Sequence, residues 1–290
     1  MKSMKRRMSA TLNRSLALVL VIGLSACEAS SSSSSTPTPS SGTSTSSASP
    51  TLPEPRALAQ YWAADTAIGF RLYREFVRLV PDPDPITAAL TELFKNKPKD
   101  SDYSSLWPTG TKVNNVVISG TSATIDLTIG KMNVGSEGEA LAIAQLVWTA
   151  TAADPVIKQI LLTVDGKQVE SIAGHVDATK PFTRGPAYQV LAPVWIISPE
   201  EGAQRSAHGF KLSGLASTFE ANVAWKVFQN GNLIRQGSTL ASEAAPAWAP
   251  WSVVIDGLPP GIYRFAAMEF SAKDGSLVAQ DTKNITLTAQ

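Results

Sequence analysis

The pattern of apolar residues changes near Pro193, and this change constrains the fold more than any other feature of the 290-residue sequence. After Pro193 the helical spacing disappears, and short extended runs follow at intervals of about ten residues, which is typical of a β-sandwich. The runs cover residues 194–198, 208–213, 222–228, 232–239, 251–256, 261–270 and 277–288. The sequence therefore predicts an all-β, immunoglobulin-like domain in this region.

Three residue patterns inside this region support the same fold. Trp225 lies in a run that alternates apolar and polar residues, which places its side chain inward on the third strand. Asn230 and Gly231 form the pair that a two-residue hairpin turn prefers. Tyr263 stands at the position expected for a tyrosine corner.

The preceding part of the folded region mixes helical and strand spacings. Residues 68–73 and 76–80 read as extended segments. Asp84 can cap a helix that starts at Pro85, because its carboxylate accepts hydrogen bonds from free backbone amides of the first turn. This helix is expected to end before Pro98. Its predicted buried face consists of Ile86, Ala89, Leu90, Leu93 and Phe94.

A hairpin and a second helix follow. Residues 113–129 alternate as two strands, with one apolar face formed by Ala123, Ile125 and Leu127. Ser136 and Glu139 have the spacing of a capping box, which predicts a helix that starts near Glu137. Residues 160–169 read as a second hairpin. This order predicts an α+β domain, in which two helices cover one face of a mainly antiparallel sheet.

The N-terminal residues have the composition of a secretory signal. A basic start is followed by a short apolar run at 16–24 and by Leu-Ser-Ala-Cys at 24–27, which resembles a bacterial lipobox. In that motif the chain is cut before the cysteine and acyl chains are attached to it, so Cys27 is the predicted lipidation site. The apolar run is about half as long as a spanning helix. We therefore expect a lipid anchor at the extracytoplasmic face of the bacterial cell membrane.

Ser, Thr and Pro dominate the segment after the lipobox. Between residues 30 and 53 there are 12 Ser, 5 Thr and 4 Pro, and no charged residue. Such a segment lacks the apolar side chains of a core, so we predict a disordered tether over residues 27–65. The predicted organisation is a signal peptide at 1–26, this tether, an α+β domain at 66–186 and a β-sandwich at 187–290.

The overall charge argues against nucleic-acid binding. The formal net charge is +1, and five basic residues precede position 27. Cleavage there leaves 20 basic and 24 acidic residues. A mildly acidic chain offers no electrostatic footprint for nucleic acid.

The reactive residues offer little material for catalysis or metal binding. The single cysteine excludes an internal disulfide and a thiolate zinc site within one chain. His175 lies near Asp177, but no nucleophile or oxyanion site accompanies them. His208 is expected to begin a strand. We therefore predict no catalytic residue, no metal site, no cofactor and no enzymatic activity.

Two tryptophans are candidates for contact with a ligand or partner. The segment AWAPW at 247–251 leads into a predicted strand, and the aromatic faces of Trp248 and Trp251 there can bind a sugar ring or a protein. In the alternative interpretation, Trp251 enters the sandwich core and Trp248 covers its open end. The sequence leaves both interpretations open.

Short motifs are spread over both halves of the folded region. The first half contains PTGTK at 108–112, SG at 119–120, ATID at 123–126, GSE at 135–137, ALAIAQLV at 140–147, VDGK at 164–167 and PFTR at 181–184. Together they resemble the GerMN domain of sporulation and germination proteins. The second half contains ISP at 197–199, LSG at 212–214, FEANV at 219–223, PGIY at 260–263 and SAKDGS at 271–276. These motifs resemble the immunoglobulin-like domain of bacterial spore germination.

The resemblance implies a non-enzymatic envelope lipoprotein whose domains mediate assembly. The predicted function is an interaction or assembly module, with a link to sporulation or germination and an envelope protein as partner. The alternative is a lipoprotein that binds cell-wall polysaccharide, which the tether and the two tryptophans motivate. The sequence leaves open the oligomeric state and the relative orientation of the two domains.

Overall fold

The computed structural model describes residues 54–289, and its first two elements form an antiparallel hairpin. Strand β1 (Arg56–Ala64) pairs along its length with β2 (Arg71–Leu79). The prediction of a tether over residues 27–65 is therefore wrong from Arg56 onward. Residues 58–64 are all buried and mostly apolar, so this segment can join a core, unlike the Ser/Thr/Pro-rich part.

Three sequence predictions lie outside the described residues. They are the signal peptide at 1–26, the lipidation of Cys27 and the tether from residue 27 to residue 53. All three stay predictions. Within residues 54–289, no helix is both long and apolar enough to cross a membrane.

The first helix forms as its sequence predicts. Helix α1 (Pro85–Lys95) starts after Asp84, whose Oδ1 accepts hydrogen bonds from the backbone N–H groups of Ile86 at 2.8 Å and Thr87 at 2.9 Å. The predicted apolar face is buried at Ile86, Ala89, Leu90 and Leu93. These residues pack in the core of the N-terminal half.

A four-stranded sheet forms the second layer of this half. Its strands are β3 (Lys112–Ser119), β4 (Ser122–Thr128), β5 (Gln159–Val164) and β6 (Lys167–Gln168), in that spatial order. The apolar face of β4 is buried as predicted. The sheet is not antiparallel throughout, because β4 and β5 pair in parallel. A helix connects these two strands, and such a crossover is the connection that parallel neighbours require.

The connecting helix, α2 (Ser136–Ala153), is buried on most sides. It packs against β1 and α1, and a helix that is apolar all round is typical of such a central position. The predicted start is confirmed, but the predicted capping box is wrong. Gly135 occupies the N-cap position without a side-chain hydrogen bond, and Glu139 instead binds a distant loop that is described below.

The C-terminal half is a β-sandwich, joined to the first half through the short helix α3 (Ala187–Val190). Its strands are β7 (Val194–Ser198), β8 (Gln204–Ser206), β9 (Lys211–Ala216), β10 (Asn222–Gln229), β11 (Asn232–Leu240), β12 (Ala249–Val254), β13 (Gly261–Phe270) and β14 (Leu277–Thr288). One sheet has the order β11-β10-β13-β14-β8 and the other β12-β9-β7. Every predicted strand is present, with small shifts in its bounds.

Details of the sandwich follow the sequence, with one exception. Trp225 is buried in the core between the sheets. The Tyr263 hydroxyl donates to the backbone oxygen of Pro259 at 2.8 Å, which is the hydrogen bond of a tyrosine corner. His208 does not begin a strand as predicted. It lies exposed in the turn between β8 and β9, and the strand starts three residues later, at Lys211.

The core of the N-terminal half extends to the start of the C-terminal half, and the described residues form one compact unit. Leu191 and Trp195 pack in the same cluster as β1 and α2. The backbone N–H of Ala192 donates to the oxygen of Leu72 at 3.0 Å. The predicted fold class, an α+β domain followed by an all-β immunoglobulin-like sandwich, is confirmed.

Candidate functional site

The two tryptophans singled out in the sequence pack against different cores. Trp251 lies on β12 and is 3% exposed, inside the sandwich core. Trp248 is half-buried against the core of the N-terminal half, and its Nε1 donates to the backbone oxygen of Ala192 at 3.3 Å. Trp251 therefore enters the sandwich core, as the alternative interpretation of the sequence expects. Trp248 lies where the two halves meet.

The two histidines lie far from each other in the sequence and are both at the surface. Both His175 and His208 are exposed on loops. The backbone N–H of His175, rather than its ring, makes a structural contact, because it donates to a carboxylate oxygen of Glu139 at 2.7 Å. Within residues 54–289, no three His, Cys, Asp or Glu side chains are grouped so that they could hold a metal ion.

Glu139 is a buried residue whose role sequence reasoning missed. Its Oε1 accepts hydrogen bonds from the backbone N–H groups of Ile172 at 2.9 Å and Ala173 at 2.7 Å. Its Oε2 accepts from His175 at 2.7 Å and Val176 at 3.2 Å. The carboxylate holds the loop in place and has no free side for a substrate, since its side chain is fully buried.

A buried charged cluster joins the two halves, and we name it the interdomain cluster. Its members are Asp100 and Tyr103, from the segment between α1 and β3, and Asp281 and Lys283, from β14. Lys283 Nζ donates to Asp100 Oδ2 at 2.5 Å, to the Tyr103 hydroxyl at 2.7 Å and to Asp281 Oδ1 at 2.9 Å. The cluster therefore connects residues that lie 178 to 183 positions apart in the sequence.

Each remaining acceptor and donor at the centre of the interdomain cluster also has a partner. The Tyr103 hydroxyl donates to Asp281 Oδ1 at 2.6 Å. Asp281 Oδ2 accepts from the backbone N–H of Ile196 on β7 at 2.6 Å. Tyr73 stacks on Tyr103 with ring centroids 5.0 Å apart, and its hydroxyl donates to the oxygen of Gln280. This closed arrangement fixes how the sandwich sits on the N-terminal half.

Burial and charge shift the pKa values of this cluster. Burial raises the pKa of Asp281, and the positive charge of Lys283 acts in the opposite direction. Burial by itself lowers the pKa of Lys283, but the charges of Asp281 and Asp100 outweigh it and raise that pKa above its ordinary value. Burial is also the main cause of the raised pKa of Tyr103. Lys283 and Tyr103 thus keep their protons at neutral pH and serve as hydrogen-bond donors.

β3 is an edge strand of the four-stranded sheet in the N-terminal half. β3 pairs only with β4 among the described strands, so one side of its backbone has no strand partner. Residues 113–119 carry no charge, and Val117 and Ile118 are 54% and 45% exposed. A bulge near Asn114 interrupts the pairing with β4, and the regular edge extends from residue 115 to residue 119.

An edge of this kind is suited to binding another protein chain. Natural sheets block their edges with charged side chains, prolines or short strands, because an open edge pairs with any extended segment. Residues 115–119 have neither charge nor proline. We therefore regard the β3 edge as the candidate interaction site. The alternation of residues 113–129 predicts the hairpin, but only the sheet order shows that β3 is an edge strand.

Three solved structures resemble this chain at low identity. A Clostridium perfringens protein designated a lipoprotein is 19% identical over 48% of this chain and 94% of that one, with a TM-score of 0.34. The tandem GerMN domains of the sporulation protein GerM from Bacillus subtilis are 21% identical over 49% of this chain and 50% of that one, with a TM-score of 0.38. The first GerMN domain of GerM is 19% identical over 44% of this chain and 98% of that one, with a TM-score of 0.36. Scores at this level support no argument about a site or a function.

The family comparisons cover both halves. A search of the curated proteins found no match. Residues 59–170 match the Germane family model, described as sporulation and spore germination. Residues 193–276 match the Gmad2 model, described as the immunoglobulin-like domain of bacterial spore germination. The chain therefore combines a Germane domain of the sporulation and spore germination family with a Gmad2 immunoglobulin-like domain.

Proposed function

We propose that this chain is a non-enzymatic lipoprotein of the bacterial envelope that works as an interaction or assembly module in sporulation or germination. In this proposal, acyl chains on Cys27 hold the protein at the extracytoplasmic face of the cell membrane. The two matched domain families support the link to sporulation and germination. The observation that carries the proposal is the open, uncharged edge of β3.

The β3 edge would bind an extended segment of an envelope protein by strand addition. The free backbone N–H and C=O groups would supply regularly spaced hydrogen bonds, which give such complexes their affinity. Val117 and Ile118 would add apolar contacts on the two faces of the extended sheet. No charge in residues 113–119 opposes the approach of the partner strand.

A site-specific cross-linking experiment tests this proposal in the membrane-anchored, full-length chain. A photo-reactive residue replaces Val117 on β3, and in a second version it replaces Val156, which is 61% exposed but lies between α2 and β5. We expect a protein adduct from position 117 and none from position 156. Mass spectrometry then identifies the partner. No adduct at 117 in the anchored, folded protein would contradict the proposal.

A pair of matched substitutions tests the same surface without a cross-linker. Val117→Lys places a charge on the β3 edge and is expected to abolish capture of the partner that the cross-link identified. Val156→Lys introduces the same charge at an exposed position away from the edge and is expected to leave capture unchanged. Equal capture by both variants would show that the partner binds elsewhere.

We do not propose the cell-wall polysaccharide function. Two tryptophans motivated it. Trp251 is buried in the sandwich core, and Trp248 is half-buried where the two halves meet. Stacking of a sugar ring on a tryptophan, which is how these residues were expected to bind it, needs an accessible aromatic face. The β3 edge has no aromatic residue that could replace them.

A further inference from the structure

A cleft near the C-terminal end of α2 contains three basic side chains and no acidic one. It has a volume of about 550 Å³. Its lining includes Tyr61, Arg74, Thr151, Lys158, Thr183 and Arg184. The residues come from β1, β2, α2, the loop before β5 and the segment between β6 and α3, so the tertiary fold brings these side chains together.

Arg184 is held in place by contacts that leave part of its guanidinium available. Its Nε donates to Thr151 Oγ1 at 2.7 Å, and one terminal nitrogen, Nη2, donates to the backbone oxygen of Trp148 at 3.3 Å. The guanidinium carbon lies 4.4 Å from the centre of the Trp148 ring, in cation–π geometry. The side chain is therefore positioned before any ligand arrives.

Arg74 is also positioned, but its charge has no partner. Its guanidinium carbon lies 5.0 Å from the ring centre of Phe76 and 5.1 Å from that of Trp195. Arg74 Nε is buried without a hydrogen-bond partner among residues 54–289. A buried donor without a partner costs free energy, so the described residues leave part of the hydrogen-bonding capacity of Arg74 unused.

The positive charges in the cleft are not neutralised by the described part of the protein. None of the ion pairs within residues 54–289 includes Arg74, Lys158 or Arg184. Burial lowers the pKa of Arg184, Tyr61 acts in the opposite direction, and the positive charge of Arg74 lowers that pKa further. Like charges that face one cleft without a carboxylate make the binding of an anion favourable.

From this arrangement we propose that the cleft binds a phosphate group. Guanidinium groups bind phosphate oxygens through two parallel hydrogen bonds, and a phosphate monoester has enough negative charge and enough oxygens to engage two arginines and a lysine together. The phosphate comes either from a free phosphorylated compound or from a phospholipid headgroup. The site is separate from the β3 edge, so it holds or fails independently of the proposed assembly function.

Isothermal titration calorimetry at constant ionic strength tests the site with inorganic phosphate and glycerol 3-phosphate. The protein used is the ectodomain of residues 54–290, since the described residues form one compact unit. We expect Arg74→Gln and Arg184→Gln each to weaken phosphate binding by about tenfold. Arg78→Gln changes an exposed arginine on the same strand as Arg74, outside the cleft, and should leave binding within about twofold of the parent.

A third variant covers the case in which an arginine variant fails to fold. Lys158 is exposed, so Lys158→Gln removes a charge from the cleft with little effect on packing. We expect this variant to bind phosphate about threefold more weakly than the parent. Unchanged binding in Lys158→Gln, together with unchanged binding in whichever arginine variants fold, would overturn the proposal.

Vesicle flotation distinguishes the two sources of the phosphate group. The ectodomain is mixed with phosphatidylcholine vesicles that contain or lack phosphatidylglycerol. Binding that needs phosphatidylglycerol, is lost in Arg184→Gln and is competed by glycerol 3-phosphate supports the headgroup. Binding of the soluble phosphates alone supports a free phosphorylated compound. The absence of binding in both experiments would overturn the proposal.

Discussion

The carboxylate of Glu139 takes the place of water for four backbone amides of the segment 172–176. The four N···O distances lie between 2.7 and 3.2 Å, and the side chain is fully buried. Hydrogen bonds to a charged acceptor are stronger than those between neutral groups, so one side chain can order an irregular loop. The sequence only weakly indicates that Glu139 orders this loop, because Glu139 also fits the spacing of a capping box.

Glu139→Gln should lower the free energy of unfolding by about 2–4 kcal/mol. The amide NH2 group would face backbone donors in place of an oxygen, and at least one buried N–H would lose its acceptor. Urea unfolding of the ectodomain measures the loss. Limited proteolysis should also cut the 172–176 segment faster than in the parent protein.

Glu137→Gln is the matched control. Glu137 lies in the same first turn of α2 but is exposed, so its substitution should change the free energy of unfolding by no more than about 0.5 kcal/mol. A similar loss of stability in both variants would mean that the buried contacts of Glu139 contribute little.

At the scale of elements, α1 depends on its N-cap. Besides the two backbone amides, the Thr87 hydroxyl donates to Asp84 Oδ2 at 2.5 Å. The cap satisfies amides that have no acceptor inside the helix. Since the buried face of α1 packs against α2, loosening the first turn of α1 affects the core of the N-terminal half.

Asp84→Ala should lower the free energy of unfolding by about 1 kcal/mol, because the first-turn amides lose their acceptor. Thermal and urea unfolding measure this change. Asp65→Ala serves for comparison, since Asp65 is an exposed residue just after β1, and it should shift stability by less than about 0.5 kcal/mol. A cap variant as stable as the parent would show that packing alone holds the first turn.

At the scale of the whole molecule, the interdomain cluster joins the two halves, and so does the core of the N-terminal half, which extends to Trp195 on β7. Lys283, Asp281 and Asp100 are each at most 3% exposed. Removing one member of a buried, hydrogen-bonded charge group leaves the others without compensation. The orientation of the sandwich on the N-terminal half therefore depends on a few polar side chains as well as on apolar contacts.

Lys283→Met should lower the free energy of unfolding at neutral pH by about 3–5 kcal/mol. The difference from the parent should shrink at alkaline pH. The pKa of Lys283 is raised in the folded protein, so its stabilisation is fully present below the ordinary value of 10.5 and is lost as the pH rises through the folded value. Urea unfolding at a series of pH values measures both effects.

The control for the cluster is Lys273→Met, which removes an exposed lysine in the turn between β13 and β14. Its stability should stay within about 0.5 kcal/mol of the parent over the same pH range. A Lys283→Met variant whose stability deficit stays constant up to strongly alkaline pH would contradict the assigned role of the ammonium group.

The sequence alone determined the class of each half and most of its elements. Alternation and turn residues located the strands of the sandwich, and Asp84 with Pro85 located α1, because these signals act between neighbours in the chain. The burial of Trp225 and the tyrosine corner at Tyr263 followed for the same reason. Composition marked residues 30–53 as unable to form a core but did not show where the folded part begins.

Only the tertiary structure decided the parallel pairing of β4 and β5, the open edge of β3, the partners of Glu139 and the interdomain cluster. Each depends on contacts between residues far apart in sequence, for which local spacing holds no information. The sequence contains one indication of the cluster, because Asp281 and Lys283 occupy alternate positions along β14 together with the buried residues Ala279 and Ile285. That pattern reveals buried charge, but its partners on the N-terminal half appear only once the chain has folded.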